Sequence, residues 1–372
     1  MNDTKGFLPL GDEFSPDKLR LARCAAGRSL ADIGELLGVT RQYAHKLEVN
    51  AMPSPSQLQR LCEVLSVKES FFFAPRKSGV ELEQCHFRSV RASTQTLKKT
   101  IAAQVEIFEL LVDELDKEVA FPSVDFAALD EPVAGAGKIE LVAEKFRREQ
   151  GIGLGPLSSV TKLAEKIGVL VVNLADADDR IDAFSLFNKR PLIVRNTSKV
   201  SPGRQRFDLA HELGHLVMHQ GIETGCRETE EQANQFASAL LMPRASFASE
   251  FPAMRGKYLN WPALKELKLR WKVSFKALIY RARALDLLTA DQAKSGFTYL
   301  ARKGFTKTEE FDELIPLESP LLVQRAIDLL DYATWSRVLA APGLTTEMVV
   351  NQFMLNVPVA PLRLVGSSQR QT

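Results

Sequence analysis

Two histidines four residues apart, with a glutamate directly after the first, stand in the segment RFDLAHELGHLVMH at 206–219. On a helix His211 and His215 project from one face, because residues i and i+4 lie one turn apart. Their imidazoles can then converge on one metal ion, at about 2.0–2.1 Å for zinc. Glu212 is rotated to reach a water at that ion and to take its proton as general base. With only five histidines in 372 residues, chance is a poor explanation of this spacing.

A catalytic zinc needs a third protein ligand and an open fourth position. A histidine six residues beyond His215 would complete the metzincin arrangement, but Gly221 stands there. Downstream, RETEEQANQFASALLMP (227–243) reads as a helix with Ala233, Phe236, Ala237, Leu240 and Leu241 inward. Glu230 and Asn234 share a face one turn apart, as a gluzincin-like ligand and the outer partner of a ligand imidazole would. Glu231 is the alternative ligand. An oxyanion donor is not specified: His219, two turns past His211, is a candidate for that role or for support of the site. Arg195 and Asn196 are further candidates.

These side chains need a scaffold. Hydrophobic alternation in GVLVVNL (168–174), DAFSLF (182–187) and PLIVRN (191–196) predicts a small β-sheet ahead of the histidine helix. The amino-terminal part has a different pattern, of short helices with tight breaks. Ser29 caps LADIGELLG, Gly38 stops it, and Thr40 caps RQYAHKLEVN, which together predict a helix-turn-helix. Early in its second helix, Arg41 can donate two hydrogen bonds to guanine and Gln42 can pair with adenine. Lys46, one turn on, can reach a base or a phosphate, whereas Leu47 faces the core. A protein-interaction module built on the same two helices is the alternative.

The amino-terminal segment resembles the XRE, or lambda-repressor-like, family. The matching residues are Arg23, S-L-x-x-I-G-x-L-L-G-V-T from Ser29, K-L-E from Lys46, and P-S-x-x-x-L-x-x-L-x-x-x-L-x-V from Pro53. Leu30 and Val49-Asn50 depart from the family pattern. The resemblance implies DNA contacts by Arg41, Gln42 and Lys46 and an operator of double-stranded DNA. The segment R-F-x-L-A-H-E-L-G-H-L-x-x-H (206–219) with E-x-x-A-N-x-F-A-x-x-L-L-M-P (230–243) resembles the ImmA/IrrE family of metallopeptidases. LKELKLRWKVSFKALIYRARALDLLT (264–289) is similar to that family's later helices, and FRSVRAS (87–93) to the connector of fused versions. The resemblance spans roughly residues 15–310. It implies one Zn²⁺ per chain, with Mn²⁺ or Fe²⁺ as other occupants of such ligands. It also implies a zinc endopeptidase that cleaves a regulatory protein such as a repressor or an antitoxin, often in stress responses. A transcription factor whose zincin domain senses a ligand or partner without cutting, and an antitoxin-like autoregulator, are the other readings.

Composition is ordinary for a globular chain, at 45% hydrophobic and 25% charged residues. There is no secretory signal pattern and no apolar run near the roughly 18 residues that cross a bilayer, so a cytoplasmic protein without membrane contact is expected. Cys24, Cys62, Cys85 and Cys226 form no C-x-x-C pair, which argues against a disulfide framework or a cysteine zinc site. Residues 76–100 carry Arg76, Lys77, Arg88, Arg91, Lys98 and Lys99 against Glu81 and Glu83, fitting a solvated linker or a phosphate-facing stretch. TQTLKKTIAAQVEIFELLVDELDKEV (94–119) predicts a long helix. Its stripe of Leu97, Ile101, Val105, Phe108, Leu111 or Val112, and Leu115 could pair with a second copy in a homodimer or pack within the chain.

The expected fold is multidomain and mainly α with a small β-sheet. Residues 15–75 form a lambda-repressor-like helical domain, 76–137 a connector with the long helix, 138–250 an α+β zincin-like core, and 251–372 a helical carboxy-terminal region. The last sixty residues carry no nameable chemistry; closing a substrate cleft and offering a partner surface are both open to them.

Overall fold

The computed structural model describes residues 13–74, 76, 79, 85–87, 95–127, 129, 135–174, 183–196, 200–222, 224–256, 258–305 and 307–361. Lys77, Arg88 and Arg91 of the basic stretch, and residues 88–93 of the connector motif, lie outside these. The chain is multidomain and mainly α with one small sheet, and it divides into two compact units. Among the described residues no helix is long and apolar enough to cross a membrane.

One unit holds residues 1–79, 99–121 and 323–372. It opens with α1 (Pro16–Ala25), α2 (Leu30–Leu37), α3 (Arg41–Leu47) and α4 (Pro55–Leu65). The side chains of Ser15, Ser29, Thr40 and Ser54 accept backbone N–H groups of Lys18, Asp32, Tyr43 and Gln57, so every helix start is capped locally. Gly38 ends α2 at φ 67°, a left-handed conformation that makes the tight turn into α3 inexpensive. Leu47 and Ala44 are buried. Buried Glu48 receives Arg23 in a two-pronged ion pair, its second arm 3.0 Å long, which ties α1 to the end of α3.

The long helix α5 (Gln95–Glu118) contributes residues 99–118 to this unit. Its stripe is consumed inside the chain: Ile101, Val105, Phe108, Leu111, Val112 and Leu115 are all buried. Phe108 meets Phe353 edge-on at 5.1 Å. That stripe is therefore no open surface for a second copy. The carboxy-terminal helices Tyr332–Ala340 and Thr346–Phe353 belong here as well, joined through a bridge between Val67 and Leu344 and a bond from Thr345 Oγ1 to the Ser66 carbonyl of 2.6 Å.

The other unit holds residues 80–98 and 122–322. Its elements are β1 (Cys85–Phe87), α6 (Ala136–Glu149), α7 (Val160–Lys166), β2 (Leu170–Leu174), β3 (Phe184–Phe187), β4 (Pro191–Asn196), α8 (Pro202–Met218) and α9 (Arg227–Leu241). Then follow α10 (Arg244–Glu250), α11 (Trp261–Trp271), α12 (Phe275–Ala284) and α13 (Ala290–Arg302). The sheet runs β1-β3-β4-β2, with β2 parallel to β4 and the other pairs antiparallel. The edge strand β1 comes from the connector, where no strand is expected from the pattern. One apolar core runs from Ile139 to Leu300 and includes Leu213, Phe236, Leu240, Trp271 and Leu278. The edges of the two units fall after residues 79, 98, 121 and 322. A break at 250 would cut this core, and the carboxy-terminal region is shared out between both units.

Candidate metal centre and nucleic-acid interface

Helix α8 is buried along nearly its whole length, so its polar side chains must find partners inside the protein. His211, Glu212, His215 and His219 are at most 2% exposed. Helix α9 crosses close to it at Gly214, where an added Cβ would lie 3.0 Å from the Phe236 ring. That approach brings the exposed end of α9 over the histidines. Glu230 Oε2 lies 3.3 Å from His211 Nε2, and its Oε1 lies 3.4 Å from His215 Nε2. The two Nε2 atoms are 3.0 Å apart. One ligand atom from each of the three residues falls within 4.8 Å of the others.

The outer nitrogens decide what those inner atoms carry. His211 Nδ1 lies 3.0 Å from Asn234 Oδ1, an acceptor, which assigns the proton to Nδ1 and a lone pair to Nε2. His215 is oriented by a longer relay. Gln232 donates its amide to Glu228 over 3.3 Å, leaving its Oε1 to accept His219 Nε2–H at 2.8 Å. Neutral His219 then presents the lone pair of Nδ1 to His215 Nδ1–H at 2.9 Å. His215 Nε2 is left with its lone pair inward. Two nitrogen lone pairs and a carboxylate facing one point repel one another unless a cation sits among them, and that donor set suits a divalent transition metal. Burial lowers the His219 pKa, in keeping with a neutral relay member.

Glu212 accepts a hydrogen bond of 2.7 Å from Ser185 Oγ on β3. Ser185 is fully buried, in register with Ile193 of β4. The pattern of DAFSLF gives no hint of this role beyond one small hydroxyl inside an apolar strand. Gln232 and Glu228 are likewise site residues that helical spacing alone did not single out. Glu231 points elsewhere and pairs with Arg227 at 2.7 Å, exposed. Arg195 is committed to the Glu318 carbonyl (2.7 Å) and Gln205 Oε1 (2.6 Å), and Arg206, which opens the histidine segment, forms a buried ion pair with Glu318. Both arginines fasten the segment before Pro320 to the unit. The side chain of Asn196 lies outside the described residues.

On the other unit, Arg41, Gln42 and Lys46 are exposed on α3, as is His45 between them. They lie on the first turns of the second helix, opposite buried Ala44 and Leu47.

Comparison with known families now fits onto this geometry. Residues 164–283 match a peptidase family described as the IrrE N-terminal-like domain. Residues 19–72 match the helix-turn-helix family. The chain is a fusion of these two modules. The first match covers β2, β3, β4, α8 and α9 and so contains the whole His211–His215–Glu230 cluster; the second covers α2 and α3. No curated protein matches the chain.

Proposed function

We propose that the chain is a DNA-binding regulator with a metal-dependent endopeptidase site that cleaves a regulatory protein, a repressor or an antitoxin being the fitting class. The observation that carries this reading is the convergence of His211, His215 and Glu230 next to a buried, hydrogen-bonded Glu212. A divalent ion, zinc by the preference of this donor set and manganese or iron otherwise, supplies Lewis acidity and a lowered water pKa when bound.

The chain's own residues do the rest. Asn234 and the His219–Gln232 relay hold the two imidazoles in the tautomer that binds metal. Ser185 holds Glu212 in one orientation. Glu212 takes a proton from water and hands it to the departing amine as the peptide bond breaks. On α3, Arg41 and Gln42 read base edges and Lys46 neutralises phosphate.

The test compares wild type with Glu212→Gln in cells, by quantitative proteomics of intact and truncated regulators together with transcript levels. The variant keeps the metal ligands and removes the base, a loss of about 10²–10⁴-fold in rate. A regulator cut only in wild type, with its target genes responding, is the expected result. Identical fragments and transcripts from both proteins under inducing stress would overturn the peptidase reading.

A further inference from the structure

A cavity of about 750 Å³ lies in the peptidase-family unit, walled by α6, α8, α9, the start of α10 and α12. It is not the place where a peptide bond would be cut. His211, Glu212, His215 and Glu230 contribute nothing to its wall. The one shared residue is Asn234, which lines the cavity and also bonds His211 at its outer nitrogen.

Size and charge say what would fit. The volume falls among those of small-molecule sites, about 300–1,000 Å³, and exceeds what one side chain of a substrate would fill. Arg204, Arg244 and Lys276 line it, and among the described residues neither arginine has an ion-pair partner. Against these three cations stands Asp208, because Glu140 is already committed to Arg281 through bonds of 2.6 and 2.8 Å. Arg204 is half-buried, so its charge is less screened than that of an exposed arginine. Phe207, Tyr280 and Leu285 give the cavity an apolar wall.

We propose that this cavity binds a small organic anion with an apolar body, a carboxylate or a phosphate monoester, and that its occupancy is felt at the metal centre through Asn234. The same amide faces ligand on one side and sets the orientation of His211 on the other, so a ligand that shifts it changes the hold on the metal. Linkage makes this reciprocal: the factor by which ligand alters metal affinity equals the factor by which metal alters ligand affinity.

The experiment titrates octanoate, octyl phosphate and neutral octanamide into the full-length chain by calorimetry, with zinc and after stripping it. Zinc affinity is measured by chelator competition with and without octanoate. One site per chain is expected, with at least one of the two anions at least tenfold tighter than octanamide; which anion wins identifies the headgroup. Zinc and that anion should alter each other's affinity by one common factor of threefold or more. The Arg204→Gln/Lys276→Gln double variant should lose the preference for anion. Should that variant fail to fold, Ser238→Trp, which fills the cavity from half-buried Ser238, must abolish binding instead. Equal binding of octanamide and both anions, or anion preference surviving these changes, overturns the site. A common factor of one overturns the coupling. The zinc arm rests on the metal reading of the site, whereas no arm uses peptide cleavage, so failure of the peptidase reading would leave the cavity proposal standing.

Discussion

Helices α3 and α8 carry this protein's chemistry in opposite ways. On α3 the side chains that would meet DNA are exposed, and the helix is held by what lies beneath: Ala44, Leu47 and buried Glu48, paired with Arg23. On α8 the chemical groups are themselves the interior, with His211, Glu212 and His215 at most 1% exposed. An exposed reading head can change its residues without disturbing the fold. A buried centre cannot, because each polar atom needs a partner and each partner sits on another element. Function and stability are thus separable in one module and entangled in the other.

Four measurements would break or sharpen that contrast. The largest effect is expected from Glu48→Ala, which leaves half-buried Arg23 with the Arg28 carbonyl but removes both of its hydrogen bonds to a charged partner, at a cost of about 3 kcal/mol. It should lower the midpoint of thermal unfolding and remove DNA binding without touching a base-reading residue; an unchanged midpoint would mean that the pair does not hold the module. Next is Arg41→Ala, expected to weaken specific DNA binding by about 1–3 kcal/mol and relax the preference at one base pair. Its stability should stay within about 0.5 kcal/mol of wild type, as for other surface changes; a large drop in melting temperature would refute the separability argument.

His219→Ala should then weaken metal binding about 10–100-fold, read by chelator competition in the full-length protein. His219→Asn, which keeps an acceptor near His215, should recover part of that loss. Equal affinity in wild type and both variants would remove His219 from the relay. The smallest effect belongs to Lys46→Ala. DNA affinity should fall by a similar factor for all sequences, and the slope of log affinity against log salt should lose about one unit. A sequence-selective loss would make Lys46 a base reader.

Much of this is legible in the sequence. The helix caps Ser29 and Thr40, the stop at Gly38, three of the four strands and the long helix with its apolar stripe all follow from local spacing and capping chemistry. The same holds for the pairing of Glu230 with Asn234 on one helical face. What was not legible involves residues far apart in the chain. The strand β1 pairs with a partner about a hundred residues away. The stripe of α5 could as well have met a second copy, and only packing decided that Phe353 lies near Phe108. The two compact units each gather stretches that are separate in the chain for the same reason: continuity in sequence does not bound a core.

Sequence by itself determined that His211 and His215 share one face with Glu212 beside them, because helical geometry links residues four apart whatever surrounds them. Only the tertiary structure decided that Glu230 closes the cluster, that Ser185 holds Glu212 and that Gln232 sets the tautomer of His219. The physical reason is desolvation. Polar groups buried on α8 must be satisfied by whichever elements pack against them, and the close approach at Gly214 and Phe236 and the register of β3 select those partners.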